Sequence, residues 1–401
     1  MRDEGKEKRD ARGSTSGRQT VRAKRNYFRL PISRPPDSRL LNKKMNPGLR
    51  IVVIAMLLVL TGCTHVAYYM QSVRGQLDVW QRERAIDEVI ADPATPEALR
   101  EKLTAVLRMR EFASRELGLP DNASYRRYAD LGRPYVVWNV FAAPEFSTQP
   151  VQWCFPVAGC VGYRGYFSRE QADEFAAQLS AGGHDVFVGG IPAYSTLGWF
   201  ADPVLNTFIR YPDPGVARLI FHELAHQVVY VRDDSVFNES FAVAVEQEGV
   251  SRWIALHGGP KDKQIYERMQ QHRDGFVRLV AVYRKRLEAL YESGLETELM
   301  RERKKQLFAA MVREYQQLKT EWGGFKGYDP WFAQQPNNAS LASVAMYTRK
   351  VPVFQALLAR EGGDLPRFYG AVKALARLDK RERDELLLKL APDADAPGSA
   401  R

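Results

Sequence analysis

Beyond residue 62 this 401-residue sequence has no excess of charge. Residues 1–62 hold 15 of the 58 Lys and Arg but 5 of the 48 Asp and Glu, so they carry the whole formal +10 and the other 43 of each sign cancel. No basic field remains to attract a nucleic acid, and no nucleic-acid partner is expected. Long apolar runs are also missing: Ile51–Leu60 falls well short of the roughly 20 residues a spanning helix needs. There is no internal repeat. Potential metal ligands are few, with three cysteines and six histidines. Cys154 and Cys160 have no histidine near them, which argues against a metal site built on that pair. His65, His184, His257 and His272 lack ligand spacing and read as surface or core residues. Only His222 and His226 remain.

What is present begins with a targeting segment. Residues 1–44 are polar, Arg-rich and aperiodic; they read as a non-native extension upstream of a true start at Met45, or as a disordered arm. Residues 45–62 read as a lipoprotein signal peptide. A short positive region ends at Arg50, an apolar run follows, and Leu60-Thr61-Gly62-Cys63 matches a bacterial lipobox. Cys63 is then the lipidated first residue of the mature protein; a transmembrane anchor with an incidental cysteine is the other reading. Thr64, where an Asp would retain the protein at the inner membrane, points to the outer membrane and a periplasmic face. Export into an oxidising compartment favours a Cys154–Cys160 disulfide over two buried thiols.

The remainder is long enough for one large domain or two smaller ones. Residues 66–130 read as helical, with Pro96 suited to a helix start. Residues 131–212 are mixed, with strands in the Tyr-, Val- and Trp-rich stretch 132–165, a Ser168-capped helix to Ser180, and a strand over His184–Gly190. Residues 214–256 carry two helices. Residues 260–390 are helical, with the charged periodicity of Lys261–Gly294 read as the solvated face of an amphipathic hairpin, and 391–401 form a disordered tail. The fold class is α+β: a mixed N-terminal half, a mainly helical C-terminal half, and the helix with the histidines at the join.

The chemistry concentrates in 221–246, FHELAHQVVYVRDDSVFNESFAVAVE. Histidines four apart project from one helical face about one turn apart. That lets His222 and His226 hold one Zn²⁺, with Glu223 beside them as general base. After the turn at 232–235, Glu239 opens the next helix and is the third ligand expected. Glu246, seven residues on and on the same face, is a partner for a ligand imidazole, or the third ligand in place of Glu239. A solvated amphipathic hairpin is the plain alternative.

HELAHQ followed by NESFA and VE resembles the gluzincin zinc peptidases, above all those of the aminopeptidase N type. Over residues 60–390 the chain also resembles a family of bacterial lipoproteins known as predicted aminopeptidases, through YRRYADLGRPYVVWNVFAAPEFS, WCFPVAGCVGYRGYF, VGGIPAYSTLGWFADPVL and FHELAHQVVYV. The resemblance implies a zincin-like fold, a catalytic zinc, a peptide substrate and aminopeptidase activity. It departs from aminopeptidase N in two places. The spacer between His226 and Glu239 is shorter, and the GxMEN exopeptidase motif is absent, which leaves an endopeptidase open. Gluzincins stabilise the oxyanion with a Tyr or His, a role for which Tyr347 on a downstream helix is suited and Tyr194 is the rival. Gly189-Gly190-Ile191-Pro192 lies where zincins keep a substrate-aligning strand, though a tight turn explains the glycines as well. A non-catalytic envelope lipoprotein with a structural zinc is the alternative of a different class.

Overall fold

The computed structural model describes residues 66–156 and 159–390. The expected extension over residues 1–44, the expected signal peptide over 45–62, the expected lipidation site Cys63 and the expected tail 391–401 lie outside them. Helix α1 runs over residues 66–81. Then follow β1 (Glu83–Ala85), α2 (Ile86–Ala91), α3 (Glu97–Arg115), β2 (Arg127–Ala129), β3 (Val137–Pro144), the hairpin β4 (Trp153–Phe155) and β5 (Gly159–Val161), and β6 (Arg164–Tyr166). Helix α4 (Arg169–Ala181), β7 (His184–Ile191), β8 (Val204–Leu205) and α5 (Asn206–Ile209) lead into α6 (Asp213–His226) and α7 (Ser235–His257). The rest is helix: α8 (Pro260–Tyr291), α9 (Thr297–Glu321), α10 (Asp329–Ala333), α11 (Asn338–Thr348), α12 (Val351–Arg360), α13 (Leu365–Ala376) and α14 (Lys380–Leu390). The architecture is α+β, with its sheets in the first half and helices alone in the second.

The principal sheet has the order β6-β3-β7, antiparallel throughout. Side chains alternate across it, as a pleat requires. Trp138, Val140 and Val188 pack on α4 through Ala172 and Phe175, while Phe141 and Phe187 face Ala339 and Met346 of α11. Asn337 and Asn338 pin the start of α11 to this sheet. Asn337 Nδ2 donates to Val186 O, Asn338 Nδ2 donates to Glu145 O, and Asn338 N donates to Asp185. The far end of α11 thereby has a fixed position.

Helix α6 is almost wholly interior: from Pro214 to His226 every residue but Arg218 is buried. Its start suits its sequence, with Pro212 as N-cap, Asp213 in the first turn and Pro214 next. Helix α7 starts at the Asp234 cap, whose side chain accepts from Phe237 N. The two helices approach closely because Gly249 has no side chain. A Cβ there would lie 2.7 Å from Leu117 and 2.8 Å from Phe221. Around them Phe208, Phe221, Phe237, Phe241, Phe354 and Phe368 build the main core.

Three details differ from the sequence expectations. Strands β1 and β2 lie within the stretch 66–130 that reads as helical; β1 is Glu-Arg-Ala, with no strand preference of its own, and is set by pairing with β2. Lys261–Gly294 supplies only the first arm of the expected amphipathic hairpin. Nothing breaks α8 before Tyr291, and its partner is α9, against which Phe276, Tyr283 and Leu287 pack with Met311 and Tyr315. The helical stretch 341–361 is two helices, because Pro352 has no N–H to donate back to the carbonyl of Thr348. No helix among the described residues is long and apolar enough to cross a membrane.

Candidate metal centre

The end of α6 and the start of α7 bring His222, His226 and Glu239 together, all three buried, with ligand atoms within 4.8 Å of one another. His222 Nε2 lies 3.2 Å from His226 Nε2 and 3.2 Å from Glu239 Oε2, and His226 Nε2 lies 3.6 Å from the same oxygen. A tetrahedral ion with bonds of about 2.0–2.1 Å sets its ligand atoms roughly 3.3 Å apart. The three atoms therefore have the mutual spacing of a ligand shell, and the donor set of two imidazoles and a carboxylate fits a borderline-soft dication.

The orientation of His222 is set from behind. Its Nδ1 lies 2.9 Å from Glu246 Oε2. An ionised carboxylate only accepts, so Nδ1–H donates, and Nε2 is the atom left to offer a lone pair to the cluster when a metal replaces its proton. Glu246 is fully buried and is paired with Arg273 at 2.8 Å and Arg218 at 3.4 Å. Burial raises its pKa, but the two guanidinium groups and His222 outweigh that and bring it down to about 2. His226 has no such support: its Nδ1 meets no hydrogen-bond partner among the described residues.

The electrostatics call for a positive charge at the cluster. Burial disfavours a charged His222, yet hydrogen bonds to Glu239 and Glu246 prevail and raise its pKa to about 10. Burial likewise works against an ionised Glu239, but His226 and His222 bring it down to about 2. A proton meets this demand in part, and a dication meets it with three ligands already in place. Glu223 stands beside them and is no part of the triad; burial raises its carboxyl pKa, opposed by the two histidines.

These groups open into a cavity of about 430 Å³. The sheet lends Val137, Asn139 and Gly165, and α1 lends Tyr68, Ser72 and Gln76. Tyr347, at the far end of α11, lines the same cavity, its ring 6.4 Å from that of His222. Burial is the first cause that raises its phenol pKa, and Glu239 adds to it. Tyr194 also lines the cavity, but its hydroxyl donates to Gln76 Oε1 at 2.5 Å. Gly190 serves packing, since a Cβ there would meet the Tyr135 ring. His257 meets Phe112 edge-on and Trp253 at a tilt, and His272 packs at a tilt against Trp322 and Phe325.

The turn between the metal helices is held from both sides. Asn238 accepts from Val231 N at 2.7 Å and donates to Val231 O at 2.8 Å. Cys154 and Cys160 are joined by a disulfide across β4–β5, and Cys160 N donates to Asp233 at 2.5 Å. Tyr163, Tyr230, Arg218 and Arg273 belong to the site without having been singled out from sequence. Arg218 had a signal, being one turn before His222. Tyr163 and Arg273 come from distant elements and had none.

No curated protein and no solved structure matches the chain. A family described as "putative aminopeptidase" matches it over residues 67–387, from the second residue of α1 into α14, with the metal helices inside. By that match, the chain belongs to the putative aminopeptidase family.

Proposed function

We propose that the protein is a zinc-dependent peptidase of gluzincin type, acting as an aminopeptidase. The observation that carries this is the spacing of His222 Nε2, His226 Nε2 and Glu239 Oε2, at 3.2, 3.2 and 3.6 Å, in the wall of a cavity that also holds Glu223. His222, His226 and Glu239 hold the zinc. When bound, it supplies Lewis-acid polarisation of a carbonyl and acidification of water. Glu223 accepts a proton from the attacking water and returns it to the leaving amine. The Tyr347 hydroxyl donates to the oxyanion as it forms. Glu246, with Arg218 and Arg273 behind it, keeps Nε2 of His222 turned to the cluster. The arrangement of α6 and α7 beside an antiparallel sheet supports a zincin-like reading of the fold.

One observation favours a second reading, an endopeptidase. Among the described residues that line the cavity, Glu223 and Glu239 are the only carboxylates. Both have roles at the metal, so the ammonium of a free N-terminus would have to rest on the neutral oxygens of Gln76, Asn139 or a tyrosine. A digest of a peptide library by the zinc-loaded protein decides. Stepwise loss of single N-terminal residues, blocked by N-acetylation, is expected; internal cuts indifferent to acetylation establish the second reading. Zinc-loaded protein that cleaves nothing supports a structural zinc in a non-catalytic lipoprotein.

The reading includes a lipid anchor on Cys63, removal of residues 1–62, and residence at the outer membrane facing the periplasm. Leu60-Thr61-Gly62-Cys63 and the Cys154–Cys160 disulfide support it. Intact mass is expected to show a lipid-modified N-terminal Cys63; an unmodified Cys63 contradicts it.

A further inference from the structure

Helix α1 has three faces. One is turned inward: Val79 is in the core, and Tyr68, Ser72 and Gln76 line the cavity. A second is polar, with Gln71, Arg74 and Asp78. The third consists of Val66, Tyr69, Met70, Val73, Leu77 and Trp80, all exposed. At about 100° per residue these six fall within a sector about 100° wide. Single exposed apolar residues are ordinary, whereas an aligned stripe of them marks a contact surface. The stripe does not end with the helix. Trp80 meets Phe200 edge-on at 4.8 Å, and Phe200 and Trp199 form the tip of the loop between β7 and β8. Trp199 is 73% exposed and Phe200 51%.

We propose that this surface, the outer stripe of α1 continued by Trp199 and Phe200, docks into the interfacial layer of a phospholipid bilayer. The occupant follows from where the chain goes. Cys63 is three residues before Val66, a separation the chain can stretch to only about 10 Å, and Leu60, at the end of the apolar run, is within about 20 Å. An anchor at either point brings the start of α1 to the membrane surface; in this respect the inference rests on the anchoring proposed above. A helix with one apolar face, one polar face and aromatic side chains at its end has the character of an interfacial segment. The consequence reaches the site. The inward face of α1 lines the cavity, and Tyr194, Ser195 and Leu197 of the Trp199 loop line it too. Docking therefore holds two walls of the cavity against the bilayer.

The test uses the full-length protein in phosphatidylethanolamine–phosphatidylglycerol vesicles that contain a phospholipid brominated near the top of its acyl chains. Residues 1–65 contain no tryptophan, so the anchor itself gives no signal. Tryptophan emission is expected to be quenched, and Trp80→Phe with Trp199→Phe to remove at least half of that quenching at an unchanged melting temperature. Unquenched emission overturns the proposal, as does quenching that the two substitutions leave intact. A concentration-dependent dimer with unquenched emission assigns the stripe to a second copy and also overturns it. Flotation of the same vesicles reads the anchor separately. Protein that floats unquenched keeps the anchor and refutes the docking. A Cys63→Ser protein that no longer floats in high salt, yet is quenched when vesicles are in excess, supports docking independently of the lipid.

Discussion

Glu239 and Glu246 lie on one face of α7, yet they meet opposite sides of the same imidazole. Glu239 faces Nε2 of His222 and the other histidine, whereas Glu246 takes Nδ1 and is backed by Arg218 and Arg273. Both glutamates were legible in the sequence because helical periodicity places them, and the NESFA resemblance favoured Glu239 over Glu246 as the expected ligand, but periodicity alone did not separate the two. That choice depends on the rotation of α7 against α6, which no local pattern encodes. Two tyrosines were likewise open. Tyr347 is close to His222, while the Tyr194 hydroxyl is committed to Gln76. Tyr347→Phe is expected to lower kcat by about 10²–10³ with little change in KM, as for a lost oxyanion donor. Tyr194→Phe is expected to leave kcat within a few-fold. Steady-state kinetics on one peptide compares them, and equal losses would remove Tyr347 from its role.

At the scale of elements, the site depends on how closely α6 and α7 pack. The histidine-bearing turn of α6 and the glutamate of α7 stay in register because Gly249 admits the Phe221 ring. Alanine in place of a helical glycine ordinarily gains about 0.5–1 kcal/mol. Here the new methyl would collide with Phe221 and Leu117, both fully buried and unable to give way. Overpacking of about 1–3 kcal/mol outweighs the gain. Gly249→Ala is expected to lower the melting temperature and to weaken zinc binding, since the ligands separate; a stabilised protein with unchanged affinity would contradict this account of the packing. The helices themselves were readable, from the Ser168 cap of α4 and from the turn at 232–235 that precedes α7. The three-residue strands β1 and β2 were not, because their pairing is long-range and only Tyr128 among their residues favours a strand.

At the scale of the whole molecule, stability should depend on pH through Asp202. Burial raises its pKa from 3.8 to about 7, against hydrogen bonds from Thr196 that lower it. In the unfolded chain this carboxyl ionises near 3.8, while in the fold it stays neutral up to about 7. Folding therefore loses stability from Asp202 as pH rises between those values, by at most about 4 kcal/mol for three units. Melting of the wild type and Asp202→Asn at pH 5 and pH 8 isolates this: the gap should shift in favour of the variant at pH 8, and a constant gap contradicts it. The central claim concerns the metal and the base together, and one comparison tests it most directly: zinc per chain and peptide turnover, measured on the same preparations of wild type, Glu223→Gln and His226→Ala. The account predicts one zinc in the wild type and in Glu223→Gln, with turnover in the latter reduced by about 10²–10⁴ or more, and both zinc and turnover lost in His226→Ala. Full turnover by Glu223→Gln, or full zinc content in His226→Ala, would contradict it.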